Sequence, residues 1–461
     1  MKHIKPYQAL ITIVLIIAVM FICIVGLRIS THVPLIIGCV IAGTMAKLGG
    51  NRWEEILEAI VSGISGSLEA ILILLSIGML MGAWITCGTV PTIVYYGLQL
   101  MNAKTFLVAT FLLCGAVSMV VGAWGTAGTI GLAFVAIGIA MGLPSPVTAG
   151  AIVSGAYVGD KLSPISDATN LAAASARCDV MKNVRQMIPV AAVSCLAAAG
   201  LYLAIGLSYG GNDEIIRNSV SPIISTLSEN FRVSLLGLLP LAVLVVCILC
   251  KVPALVSILA GTFSGTLLAV AWQGAELAGV FTCLYDGFVA ETGNTMVDGL
   301  LTTGGIQSML DTVSIILLAM ALGGIMQGTG HMAMLVNPIA QKVKSSTGLA
   351  ASTILCCLFC NIVLPDQYLG ISIPGQIFRG EYERRGIKNE TLANVLGAGG
   401  AVTSPLVPWN TCGVYMSSIL AATTAQYLPY CFFCLILPFV MLGYVFLLGR
   451  KDRAADRSSA S

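Results

Sequence analysis

Gly159-Asp160-Lys161-Leu162-Ser163-Pro164-Ile165-Ser166-Asp167-Ala168-Thr169-Asn170 stands between long apolar runs, and its reading decides what kind of molecule this is. Pro164 withholds a backbone donor and steers Ser163 away from helical geometry, so a chain break coincides with two carboxylates and with the oxygens of Ser163, Ser166, Thr169 and Asn170. At membrane depth such carboxylates cost several kcal/mol each unless paired, and they mark an ion or substrate path. At the membrane surface the same string is a polar loop, a reading with which Lys161 agrees.

Outward from this stretch, the composition excludes a soluble domain. Of the 461 residues 57% are hydrophobic and only 10% charged, with a mean hydropathy of +0.94. Apolar runs of about twenty residues recur, the length a helix needs to cross a bilayer, so the fold class is an all-α polytopic membrane protein whose main partner is the lipid. A net charge of +2 gives no reason to expect a nucleic-acid partner. Most of the fifteen cysteines sit singly in apolar runs, among them Cys23, Cys39, Cys114, Cys195 and Cys247, and read as small buried hydrophobes. Cys431 and Cys434 have CxxC spacing without a second pair or a nearby histidine, a poor basis for a metal site. No disulfide, cofactor or resident metal is expected. Lys2 and Lys5 precede an apolar run with no cleavage signal, which reads as a first spanning helix.

The first span is expected over 7–27 and the second from Val33-Pro34. Residues 53–62 have the spacing of an amphipathic helix on the membrane surface. A span near 68–88 follows, then a short apolar segment at 91–101 that either crosses or lies flat. Residues 105–142 suffice for two passes but are interrupted by Gly122-Ala123-Trp124-Gly125-Thr126-Ala127-Gly128, a glycine density tolerated in lipid only where protein or a cavity satisfies the freed backbone. The opening motif occupies 145–177, and a clean span runs over 187–209. Residues 331–345 read equally as crossing or surface helix.

After a polar linker the pattern starts again. Val33-Pro34 and Ala42-Gly43-Thr44 return as Val252-Pro253 and Ala260-Gly261-Thr262. Gly63 with Leu68-Glu69 returns as Gly305 with Leu310-Asp311. Ser163-Pro164 followed by Thr169-Asn170 returns as Ser404-Pro405 followed by Asn410-Thr411. The shared order divides the chain into an N-terminal repeat (1–209), an external linker (210–232), a C-terminal repeat (233–449) and a basic tail (450–461). Basic residues flank both ends, at Lys2 and Lys5 and at Arg450, Lys451, Arg453 and Arg457, which places both termini in the cytoplasm. A repeat that starts inside and ends outside crosses an odd number of times, so its copy runs inverted. Two inverted repeats with broken or re-entrant helices at the midplane are the architecture of a secondary carrier.

The second repeat breaks at Asn361 to Tyr368, through Pro365, Asp366 and Gln367, and at Ser404 to Cys412, through Pro405, Pro408, Trp409, Asn410 and Thr411. Converging breaks would bring Asp160, Asp167 and Asp366 together as ion or proton ligands. Ser163, Ser166, Thr169, Asn170, Thr126, Asn361, Gln367, Ser404, Asn410 and Thr411 would support them. Such an oxygen set suits Na⁺, and a half-helix N-terminus would suit an anionic substrate group. A carboxylate in a dry site exchanges a proton for Na⁺ near neutral pH. Trp124 and Trp409 either line this pocket or wedge its packing, and Tyr368 is a further pocket candidate. Glu291 and Asp298, in the acidic cluster that begins at Asp286, read chiefly as an interfacial segment, with a transport role as the alternative.

At these strings, with Glu291-Thr292-Gly293-Asn294, the chain resembles the NhaC family of Na⁺/H⁺ antiporters, which also holds exchangers coupling Na⁺ and H⁺ to small carboxylates such as malate and lactate. The resemblance covers nearly the whole chain, to about residue 445. It implies a bacterial inner-membrane carrier of the ion-transporter type, with Asp160, Asp167 and Asp366 as ion or proton ligands. The chain departs from the family pattern at Gly323-Gly-Ile-Met-Gln327, where an acidic residue is usual, and at Gly397-Ala398, where an acidic pair is usual. With Gln327 counted as a pocket candidate, neutral groups at these points turn attention to an organic acid or amino acid that brings its own charge.

Two functions of one fold follow: Na⁺/H⁺ exchange by alternating access, or Na⁺- or H⁺-coupled transport of a small organic acid or amino acid. A homodimer is the assembly kept in view. Only three histidines occur, none in a His-Glu-x-x-His string, and no Gly-x-Ser-x-Gly nucleophile motif is evident, so enzyme chemistry is not expected. Repeated halves meeting at broken helices favour a carrier over a channel.

Overall fold

The computed structural model describes residues 5–27, 29–100, 102–164, 166–209, 213–250, 252–331, 345–364 and 366–459. Among the described residues the regular structure is helical, apart from one isolated bridge between Phe288 and Thr303. Among the described residues, five helices are long and apolar enough to cross a membrane, and up to eight when each sharply bent pair counts as one span. The protein is therefore a multi-pass membrane protein. The expectation for 331–345 lies outside the described residues apart from its ends, as does Lys2.

The first half contains α1 (Pro6–Met20), α2 (His32–Leu48), α3 (Trp53–Ser65), α4 (Leu68–Thr86), α5 (Thr89–Leu100), α6 (Ala103–Thr126), α7 (Leu132–Ala140), α8 (Ser145–Leu162), α9 (Asp167–Ala176) and α10 (Val180–Tyr209). α5 turns 70° away from α4 after Gly88. α10 begins seven residues before the apolar run that predicts it, because Asp179 Oδ1 accepts the Lys182 backbone N–H at 2.9 Å and caps the first turn.

The polar linker is a helix, α11 (Asp213–Asn230). Ile223 and Leu227, one turn apart, are buried, and α11 rests on α5, while Ser225 and Glu229 stay outside. Two apolar side chains at helical spacing suffice to dock a segment whose composition reads as loop.

The second half runs α12 (Leu239–Leu249), α13 (Ala254–Leu268), α14 (Leu277–Asp286), α15 (Thr295–Leu301), α16 (Gly305–Gly328), α17 (Ser346–Val363), α18 (Gln367–Arg384), α19 (Asn389–Leu396) and α20 (Thr411–Ile419), before the long terminal helix Phe432–Ser459. The packing is reciprocal. α2 and α3 lie against α16, and α13 and α14 lie against α4. Gly63 faces Gly324 so closely that a Cβ would meet backbone, and Gly82 faces Gly304, next to the Gly305 that the sequence pairs with Gly63. Without a hydrophobic drive between helices in lipid, such small-residue contacts let backbones approach.

α6 and α8 form the tightest pair. A Cβ at Gly155 would strike the Phe111 carbonyl, and one at Gly159 the Gly115 carbonyl. This approach delivers the end of α8 to the kink in α6.

Candidate functional site

Four interruptions meet in the interior. α6 is broken at Gly122, whose φ of 76° and ψ of 173° belong to a region that only glycine adopts readily. α8 ends at Ser163, extended at φ −91° and ψ 123° as a residue before proline prefers. α17 ends at Val363, and α18 starts after its N-cap Asp366. α20 starts after its N-cap Asn410. π-type turns at Ala127–Gly131 and Gly397–Ala401 lie beside two of these breaks, a geometry common at functional sites.

Asp160 is buried at the end of α8. Its Oδ1 accepts the Ser166 hydroxyl at 2.7 Å, and its Oδ2 lies 3.6 Å from Lys161 Nζ. A Cβ at Gly122 would stand 3.9 Å from the same Oδ1, so the first break opens onto this carboxylate. Lys161 is buried too, which settles its place: it pairs with Asp160 and does not reach headgroups. Thr169 Oγ1 donates to the Asp160 carbonyl at 2.8 Å, Ser163 Oγ to the Met119 carbonyl at 2.6 Å, and Asn170 Nδ2 to the Pro164 and Ser166 carbonyls, both at 2.9 Å. These hydrogens close the break, and the hydroxyl lone pairs are what remains for a cation. Asp167 stands in the first turn of α9, exposed, where a helix dipole favours an anion.

Asp366 is buried opposite. Its Oδ1 accepts the backbone N–H groups of Tyr368 at 2.9 Å and Leu369 at 3.0 Å, and the Thr411 hydroxyl lies against the carboxylate. No backbone N–H of the described residues bonds the other oxygen. The Tyr368 ring sits within electrostatic reach of Asp160, Asp167 and Asp366 together. Carboxylates from both halves of the chain thus act electrostatically on one side chain, which is itself partly exposed.

The amide of Asn361 bridges breaks. Its Nδ2 donates to the Gly400 carbonyl at 2.6 Å and to Thr403 Oγ1 at 2.9 Å, while Asn410 Nδ2 donates to the Asn361 carbonyl at 3.2 Å. Asn361 Oδ1, fully buried, has no hydrogen-bond partner among the described residues. Ser404 Oγ donates to the Ala401 carbonyl at 2.7 Å and lies 3.4 Å from Gln367 Oε1. Thr126 Oγ1 returns to the Gly122 carbonyl at 2.9 Å.

The tryptophans take different parts. Trp124 stacks on Tyr415, centroids 4.4 Å apart and planes 9° from parallel, and the Tyr415 hydroxyl donates to the Trp124 carbonyl at 2.7 Å. Trp409 Nε1 donates to the Ile362 carbonyl at 2.6 Å, pinning the last break to the end of α17.

Three candidates fall elsewhere. Gln327 is exposed at the end of α16 and lines a separate open cleft of about 450 Å³ with Glu58, Ser62 and Gly63. Asp298 accepts both the amide and the hydroxyl of Thr292 at 2.7 Å, which holds its carboxyl below the usual range, and it folds the loop carrying Glu291 outside the spans. Lys161 was the residue whose part the sequence left open; Asn183 and Asn394, also buried, carried no motif that would have flagged them.

Paired broken helices presenting buried carboxylates from both halves define a secondary transporter. The model of the Na⁺/H⁺ antiporter family matches residues 1–207 and 155–447. The chain is 34% identical over 97% of its length to the malate-2H⁺/Na⁺-lactate antiporter of Bacillus subtilis, covering 96% of that protein. It is 31% identical over 94% of its length to the Na⁺/H⁺ antiporter NhaC of Alkalihalophilus pseudofirmus, covering 94% of it, and 35% identical over 95% to the arginine/ornithine antiporter ArcD of Halobacterium salinarum, covering 91% of it. The chain belongs to the Na⁺/H⁺ antiporter family, and it is a secondary antiporter.

Proposed function

We propose that this antiporter exchanges Na⁺ for H⁺ by alternating access, with Asp160 and Asp366 as the central ligands and Asp167 at the approach. Two buried carboxylates at helix breaks, Asp160 at the end of α8 and Asp366 at the start of α18, carry the reading. Na⁺ takes oxygen ligands, and the hydroxyls of Ser166 and Thr411 beside the two carboxylates give a set of the right hardness. A carboxylate can hold Na⁺ or a proton but not both, so each ion that binds displaces the other. Asp160 and Asp366 belong to different halves, and a rocking motion between halves would carry the shared site from one side to the other.

The reciprocal packing of α2 and α3 on α16 and of α13 and α14 on α4 supports two inverted repeats meeting at this site. Both termini are cytoplasmic on the charge rule, and the membrane is the bacterial inner membrane.

A second reading, coupled exchange of a small organic acid or amino acid, is favoured by one observation. Gly397, where an acidic residue would face Lys161, brings no charge, and Lys161 Nζ would lie 3.9 Å from a Cβ there. Relatives named for malate, lactate, arginine and ornithine keep that reading in view.

The test uses proteoliposomes with an internal pH dye. Adding Na⁺ outside should alkalinise the lumen with the wild type and not with Asp160→Asn; no response to Na⁺, Li⁺ or K⁺ would sink the first reading.

A further inference from the structure

Some of the buried polar atoms that Na⁺/H⁺ exchange leaves unused lie on the helices that pack beside Gly397. A Cβ at this glycine would lie 3.7 Å from Lys161 Cδ, 3.9 Å from Lys161 Nζ and 3.7 Å from Met187 Cε. Asn394 stands one turn before Gly397 on the same helical face, and Asn183 one turn before Met187 on the same face of α10. Gln186 Nε2 donates to Thr391 Oγ1 at 3.0 Å and ties α10 to α19 at this level.

Lys161, Asn183 and Asn394 are 3%, 4% and 1% exposed. Among the described residues, Lys161 Nζ, Asn183 Oδ1 and both amide atoms of Asn394 lack a hydrogen-bond partner. The Asp160 carboxylate, at 3.6 Å from the ammonium, is beyond hydrogen-bonding distance and answers at most one of its three donors. Buried polar groups are costly unless paired, and here four such atoms lie on three helices, with α10 packed against both α8 and α19. Packing gains nothing from them, whereas a polar solute would satisfy all of them.

We propose that Lys161, Asn183 and Asn394 form a binding site for a small carboxylate that carries a hydroxyl or amino group on its second carbon. The ammonium and the Asn394 amide N–H groups donate to the carboxylate. Asn183 Oδ1 and Asn394 Oδ1 accept from the hydroxyl or amino group. Asp160 belongs to the ion site and pairs with Lys161, so a cation engaging Asp160 frees Lys161 for the solute. The proposal rests on the solute reading above and gives that reading its residues.

Equilibrium binding to the full-length protein in lipid nanodiscs tests it, with labelled L-lactate, L-malate, L-arginine and L-ornithine as probes and propionate as the carboxylate without a neighbouring donor. At least one of the four should bind, and propionate about tenfold or more weaker, as loss of hydrogen bonds to fixed partners requires. Which of them binds separates hydroxy acid from amino acid. Asn394→Leu should weaken that binding by about tenfold or more. Gly397→Asp, which offers Lys161 a carboxylate of the chain's own, should do the same with the melting temperature preserved, and serves if Asn394→Leu does not fold. Binding by none of the four probes, or wild-type affinity in the folded variants, would overturn the site. The pH-dye assay on the same preparations keeps the two readings apart: Na⁺-driven alkalinisation without solute binding removes this proposal alone, and solute binding lost in the variants without a Na⁺ response removes Na⁺/H⁺ exchange alone.

Discussion

Ser166 Oγ donates to Asp160 Oδ1 at 2.7 Å across the gap between α8 and α9, and the same hydroxyl oxygen caps α9 by accepting from Thr169 N at 3.4 Å. One side chain thus fixes both the ligand and the helix that follows it. Ser166→Ala is expected to cost about 1 kcal/mol of stability through the lost cap and to weaken apparent Na⁺ affinity, whereas Asp160→Asn should abolish Na⁺-driven pH change while the protein stays folded. Thermal unfolding and the pH-dye assay, run side by side, check both.

Asp366 has two tasks that substitution separates. As the N-cap of α18 it accepts two backbone N–H groups. Asn keeps a capping oxygen and Ala does not, so Asp366→Ala should lose about 0.5–2 kcal/mol more stability than Asp366→Asn. Both should abolish exchange, because neither holds a charge. Exchange surviving in Asp366→Asn would show that the residue is a cap and no more.

Gly122 holds the first break open at a φ of 76°. Gly122→Ala should destabilise the protein by about 1–3 kcal/mol and shift the pH dependence of exchange, since the kink borders Asp160 Oδ1. Unchanged melting and unchanged pH profile would mean that α6 adapts.

Tyr415 and Trp124 join the second half to that break. Tyr415→Phe keeps the stack and removes the hydroxyl that meets the Trp124 carbonyl, so a loss of about 1 kcal/mol is expected in thermal unfolding.

Asp298 supplies the acid-sensitive point outside the spans. Thr292 donates to it from hydroxyl and amide, which depresses its pKa in the fold. A depressed carboxyl contributes stability above its unfolded pKa and loses it as pH falls through the folded value. The protection of the Thr292 amide against hydrogen exchange, relative to the intrinsic rate at each pH, should therefore be high at neutral pH and fall once the pH drops below the usual carboxylate range, and Asp298→Ala should show low protection at both.

The opening string carried the break and its acids in plain view, because Pro164 and the polar residues around it stand against an apolar background that has no other use for them. Tertiary bonds were not legible. That Ser163 ties to Met119, or that Asn361 reaches Gly400, follows from helices meeting at glycines, and no local pattern in either string announces its partner. The helix at Asp213–Asn230 was hidden because Ile223 and Leu227 are two apolar residues in a polar stretch, and the early start of α10 was hidden because a single cap, Asp179, decides it. Asn183 and Asn394 went unread for a related reason: each sits in the first turn or two of an ordinary helix, and nothing local announces that a buried amide atom there finds no partner among the described residues.

Competition between the two ions at one site is the central claim, and the pH dependence of Na⁺ affinity tests it most directly. If one proton displaces one Na⁺, the apparent Na⁺ dissociation constant of the purified wild type should rise about tenfold per pH unit below the pKa of the site, and Asp160→Asn should lose the dependence. A Na⁺ affinity indifferent to pH in the wild type would contradict the account, because the cation and the proton would then occupy different groups.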